Sequence, residues 1–115
     1  YSPAHWQEIT IHHLLNHTAG LANLTNFPGV FETTAKMSLP VRDIVETFRE
    51  KALEFAPGSK HRYSNSGYIL LGDIIERASG VSYESFLREQ IFAPLEMADS
   101  GYDHYETVLA NRAHG

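Results

Sequence analysis

The chain has 115 residues, a formal net charge of −5 and no cysteine, which suits one small domain with a modest core and excludes disulfides and thiolate metal sites. Its Lys and Arg are scattered singly, so no basic patch invites nucleic acid or an anionic membrane, and no apolar run approaches the ~18 residues of a membrane span. A cysteine-free chain without a leader-like stretch leaves periplasmic, secreted and cytoplasmic locations equally open.

Residues 1–10 form a lead-in segment in which Trp6 and Ile9 can pack, and Thr10 is placed to cap a short helix over residues 11–16 with Ile11, Leu14 and Leu15 as its apolar positions. The segment also carries His12, His13 and His17. His13 and His17 stand at i,i+4, the spacing of a helical metal site, but no acidic residue nearby completes a ligand set and no metal is expected. Gly20 then closes the segment as a residue able to take φ > 0.

Residues 21–39 contain Asn, Thr, Pro and Gly without sustained periodicity and read as a long loop with one helical turn near 31–36. Long loops in small domains often carry function. Phe27, Val30 and Phe31 are thus candidates for the wall of a cleft, or equally for the plug of a satellite core.

From 40 to 53 the periodicity is clean: Val41, Ile44, Val45, Phe48 and Ala52 share one face, and Arg42, Asp43, Glu46, Arg49, Glu50 and Lys51 the other. Glu46 and Glu50 form a like-charge i,i+4 pair, so this helix must rely on its packed face. Phe55-Ala56-Pro57-Gly58-Ser59 follows as a Pro-Gly turn.

Tyr63-Ser64-Asn65 comes next, directly ahead of an apolar helical pattern over 67–78. Ser64 or Asn65 is the natural N-cap, with a side-chain oxygen accepting from a first-turn N–H. Tyr63 is then held at the helix mouth, where the positive end of the dipole favours an anionic oxygen. Along the helix Tyr68, Leu71, Ile75 and Ala78 make one stripe, Leu70 and Ile74 widen it, and Ile69 falls on the opposite side with Asp73 and Glu76. Two turns that are apolar nearly all round require a central position or a covering partner. Ser79-Gly80 stops this helix, and Ser82 caps another over Tyr83, Phe86, Leu87 and Ile91 that ends at Ala93-Pro94. The tail from Leu95 shows no period. With no alternating strand and no internal repeat, the fold class is mainly α.

Five blocks of this sequence, Leu14 to Leu21, Phe55-Ala56-Pro57-Gly58, Tyr63 to Tyr68, Leu71-Gly72-Asp73-Ile74-Ile75 and Phe92 to Met97, together resemble the serine β-lactamase-like hydrolases. The likeness is to class C β-lactamases and their penicillin-binding-protein, D,D-peptidase, D-aminopeptidase and esterase relatives, and it spans nearly the whole chain in the family's order. The resemblance implies that residues 1–115 are a single helical lobe of the α/β β-lactamase/transpeptidase-like fold, lacking most or all of the sheet. It implies acyl transfer through a serine ester on a small β-lactam, D-amino-acid peptide or ester substrate, with no cofactor.

On that resemblance Tyr63 and Asn65 are catalytic: Tyr63, with a lysine, shuttles the proton, and Asn65 hydrogen-bonds that lysine and the substrate's amide. Phe27 and Phe31 would rim the substrate cleft, and Ser64 would sit beside the substrate as spacer and cap. No serine here has a lysine three residues on, and no Lys-Thr-Gly or His-x-Gly strand follows. Ser64 itself lacks a glycine elbow and an acid to orient His61, which argues against it as nucleophile. The chain is therefore expected to supply the Tyr-x-Asn motif without the nucleophile and to be inactive alone; the alternative is a non-catalytic helical binding or assembly module. In isolation it is expected to self-associate. Ile69 and its neighbours would face water, and the loop at 21–39 and the tail from Leu95 offer segments to exchange between copies.

Overall fold

A computed structural model describes residues 3–30, 39–104, 108, 109 and 113, and among these there is no strand. The expected helical turn near 31–36, and Phe31 with it, lies outside the described residues. Four α-helices carry the architecture: α1 (Ile11–Leu15), α2 (Val41–Arg49), α3 (Asn65–Ser79) and α4 (Tyr83–Leu87).

A five-residue helix such as α1 is marginal by itself, and its start is secured by a reciprocal capping box. The His13 N–H donates to Thr10 Oγ1 at 3.2 Å and the Thr10 N–H to His13 Nδ1 at 3.3 Å. Histidine thus fills the place usually taken by Glu or Gln, and His13 is occupied in shaping the helix rather than paired with His17. Among the described residues no group of three or more His, Cys, Asp or Glu converges.

After α1 the backbone reverses through His17 and Gly20, both with left-handed φ, 59° and 77°. Residues 17–20 then run beside 54–62: the Glu54 N–H donates to Gly20 O at 2.8 Å, the Gly58 N–H to Thr18 O at 2.8 Å and the Arg62 N–H to His17 O at 2.9 Å. Gly20 is required twice over, for its φ and because a Cβ there would overlap the Phe55 carbonyl oxygen.

Helix α2 begins behind Pro40 and is shorter than its periodicity predicts, since the chain turns at Glu50 and leaves Ala52 exposed instead of on the packed face. The like charges of Glu46 and Glu50 are both met by Arg49, at 3.2 and 3.7 Å. Val45 and Phe48 enter the core with Trp6, Leu14, Ala19, Leu21, Leu24 and Val30, and the Trp6 and Phe48 rings stack 6.1 Å apart.

Helix α3 is central, packed by α1, α2 and α4, but its buried positions are not the predicted stripe. Ser66, Gly67, Gly72 and Asp73 are buried, whereas Tyr68 and Ala78 are exposed. Small residues let neighbouring elements approach closely: a Cβ on Gly67 would lie 3.5 Å from Leu14 O, and one on Gly72 3.6 Å from Val41 Cγ1. Ile69, expected to face water, is instead partly buried against the core with Leu70, Leu71 and Ile74. Asp73 is buried with its carboxylate 2.7 Å from Arg77 Nε. Gly80 ends the helix with φ 76°.

The Ser82 hydroxyl accepts from the Ser85 N–H at 3.2 Å to start α4, which widens into a π turn over Arg88–Phe92 before Pro94. No helix among the described residues is long and apolar enough to cross a membrane.

Candidate active site at the mouth of the central helix

The first turn of α3 is pinned to the loop after Gly20 by one hydroxyl. Ser66, with no exposed surface, accepts from the Leu24 N–H at 2.8 Å and donates to Ala22 O at 2.7 Å. This staple presents the residues flanking Leu24 to Asn65. The Asn65 N–H donates to Asn23 Oδ1 at 3.0 Å, and Asn65 Nδ2 donates to Thr25 Oγ1 at 3.3 Å.

The expected cap is thereby corrected. Ser64 holds the N-cap position, but its side chain accepts no first-turn N–H, and its buried Oγ has no partner among the described residues. The capping oxygen comes from Asn23.

Tyr63 is 60% exposed, and its hydroxyl donates to Asn65 Oδ1 at 3.0 Å. The carboxamide of Asn65 is thus oriented from two sides and keeps one N–H and one lone pair for an incoming amide or ammonium. An exposed phenol oxygen 3.0 Å from an oriented carboxamide is an arrangement that can pass a proton and hold a polar substrate group in place.

Beside these residues lies a cavity of about 450 Å³, bounded among others by Thr25, Val30, Asn65, Tyr68, Tyr83 and Tyr102. Val30 reaches this wall. Phe27 is half-buried against the core, with Lys51 Nζ 5.4 Å from its ring centroid, and does not line the cavity. Ser64 is turned inward and only 7% exposed.

The beta-lactamase family description matches residues 1–115. The chain belongs to the beta-lactamase family. It is 39% identical over 97 residues to penicillin-binding protein 4* of Bacillus subtilis, covering 83% of this chain and 21% of that protein. The fold matches the penicillin-binding protein of Bacillus halodurans with a TM-score of 0.76 at 28% identity, over 91% of this chain and 34% of that one. It matches the D-amino acid amidase of Ochrobactrum anthropi SV3 with a TM-score of 0.68 at 33% identity, over 84% of this chain and 27% of that one. This chain therefore spans about a fifth of the curated relative and about a third or less of the two solved structures. What it shares with them is a helical part of the beta-lactamase fold.

Sequence reasoning singled out Tyr63 and Asn65 but not Asn23, Thr25 or Ser66, which orient them. Asn23 and Thr25 lie 42 and 40 positions from Asn65 and carry no local motif. The small residues Ser66 and Gly67, set in an otherwise bulky apolar helix, were the one signal that something packs closely there.

Proposed function

We propose that this chain forms the Tyr-x-Asn wall of a serine hydrolase site, in which a serine and a lysine from outside these 115 residues complete acyl transfer. The observation that carries the reading is the 3.0 Å bond from the exposed Tyr63 hydroxyl to Asn65 Oδ1 at the mouth of α3. In this reading Tyr63 and the lysine shuttle the proton together: the lysine first takes the phenol's own proton, and the resulting phenolate accepts the proton released as the serine attacks and returns it to the leaving group. Asn65 uses its free N–H on the substrate carbonyl and its free lone pair on the lysine ammonium. Phe27 and Ser64, which do not line the cavity, are given no substrate contact in this reading, and Thr25 and Val30 take the wall instead. The substrate is a small acyl compound: a β-lactam, a D-amino-acid peptide or amide, or an ester. The kinship with a penicillin-binding protein and a D-amino acid amidase supports that class.

Proximity of nucleophile, base and oxyanion donors supplies much of such catalysis, so the 115-residue chain alone is expected to turn over neither nitrocefin nor p-nitrophenyl butyrate. The coding frame around this sequence should hold Ser-x-x-Lys upstream and Lys-Thr-Gly or His-x-Gly downstream. In the protein so encoded, Tyr63→Phe should lower kcat by about 10²–10⁴-fold, the usual worth of a positioned proton-transfer group. A frame without those motifs would favour the non-catalytic helical module. Turnover by the isolated chain that is abolished by Ser64→Ala would make Ser64 the nucleophile and overturn the proposal. The isolated chain is also proposed to self-associate through apolar surface that the completed enzyme would cover.

A further inference from the structure

His17 contacts the Tyr63 segment in three ways. Its carbonyl oxygen accepts from the N–H of Arg62, the residue before Tyr63, at 2.9 Å, and its Nδ1 accepts from the N–H of Ser64, the residue after, at 3.4 Å. Its ring packs against the ring of Tyr63 at a tilt of 43°, with centroids 4.6 Å apart. The ring is itself held from elsewhere: it stacks on Tyr68 at 5.1 Å and 30°, and the Tyr68 hydroxyl donates to Leu15 O at 3.1 Å. His61 meets its edge at 6.1 Å.

The backbone of His17 adds an independent observation. With φ 59° it occupies the left-handed region that a residue with a Cβ enters only at a cost, and a glycine there would relieve it. With Nδ1 accepting from Ser64, the neutral ring carries its proton on Nε2; Nδ1 and one side of the ring meet the Tyr63 segment, while Tyr68 stacks on the ring from α3.

We infer that His17 is a positioning residue for Tyr63: it fixes the backbone on both sides of the phenol and one face of its ring, and so sets where the hydroxyl stands relative to Asn65. The inference rests on the proposed role of Tyr63 for its catalytic consequence, but its structural content does not. In the sequence His17 stands out as half of a metal-like pair and as a member of the Leu14 to Leu21 block, but its link to Tyr63 is not legible there because the residues it holds lie more than forty positions away.

Three substitutions separate the contacts. His17→Asn tolerates left-handed φ and keeps an acceptor near the Nδ1 position but loses the ring; His17→Phe keeps the ring and loses the acceptor; His17→Ala loses both. In the 115-residue chain, NMR should show contacts between the His17 and Tyr63 rings. The Tyr63 ring resonances should move toward free-tyrosine values in His17→Ala, with the amides from residue 70 to 79 unchanged. Tyr63 resonances that stay put in His17→Ala would overturn the inference, whatever Tyr63 does in catalysis.

In the full hydrolase, His17→Ala should lower kcat by about a hundredfold, the scale of an ångström-level misplacement, while KM stays within about twofold, and His17→Asn and His17→Phe should each recover part of the loss. A merely structural role would lower the melting temperature and leave kcat below the melt unchanged, which also overturns the inference. If Tyr63→Phe were fully active, the proposed function would fail, and the NMR comparison would still decide whether His17 positions Tyr63.

Discussion

The first amide of α3 is satisfied by a side chain 42 positions earlier, Asn23, and not by the residue at the cap position. Removing that oxygen in Asn23→Ala should cost about 1 kcal/mol, the usual worth of a lost N-cap, and should also loosen the loop that orients Asn65. Ser64→Ala should behave oppositely. Its hydroxyl is buried without a partner among the described residues, so its loss should be neutral to within about 0.5 kcal/mol or mildly stabilising. Urea melts of the two variants decide it: a larger loss for Ser64→Ala than for Asn23→Ala would return the capping role to Ser64. Tyr63 and Asn65 were legible as a pair because the resemblance carries a Tyr-x-Asn block, to which local geometry adds only that Tyr63 stands at a helix mouth. Asn23 and Thr25 were not, because their contacts exist only once the loop after Gly20 has folded against α3, and the role of His17 was not, because its contacts exist only once residues 17–20 run beside 54–62.

At the scale of elements, helix positions and several terminators could be read from periodicity, Pro and Gly, and the Thr10 and Ser82 caps form as expected. The buried face of α3 could not be so read. Periodicity weights large apolar side chains, whereas a helix packed on several sides buries the small residues that admit its neighbours, here Ser66, Gly67 and Gly72. The turns test how backbone conformation and space combine. Gly20 and Gly80 have nearly equal φ, 77° and 76°, but a Cβ at Gly80 meets nothing within 4 Å while one at Gly20 overlaps the Phe55 carbonyl. Gly80→Ala should therefore cost about 1–2 kcal/mol, the left-handed penalty alone. Gly20→Ala should cost clearly more, because the Glu54 N–H to Gly20 O bond must shift as well. Equal losses in denaturant melts would mean that the 17–20 and 54–62 segments yield freely.

Over the whole molecule the core is one-sided. Among the described residues its buried members come from the lead-in segment, α1, Ala19, the loop after Gly20 and α2, with none from α4 or beyond. Across the other flank of α1, Ile11 is 56% exposed, Leu15 51% and Tyr68 52%, and the bond from the Tyr68 hydroxyl to Leu15 O places two of them side by side. Large apolar side chains exposed together on a small domain are the raw material of a contact face. In the proposed hydrolase the rest of the enzyme covers it; in the 115-residue chain a second copy is the available cover, most simply by two-fold pairing of the same face. Ile69, half-buried against the core, is the wrong residue to probe, since a charge there would unfold the chain rather than separate copies. Leu15→Glu is the right one, being exposed and clear of the core. Size-exclusion chromatography with light scattering should show the parent chain as a dimer or larger at tens of micromolar, and Leu15→Glu shifted toward monomer with an unchanged helical circular dichroism spectrum. A parent chain that stays monomeric at high concentration would mean that this face is tolerated in water and would remove self-association from the account.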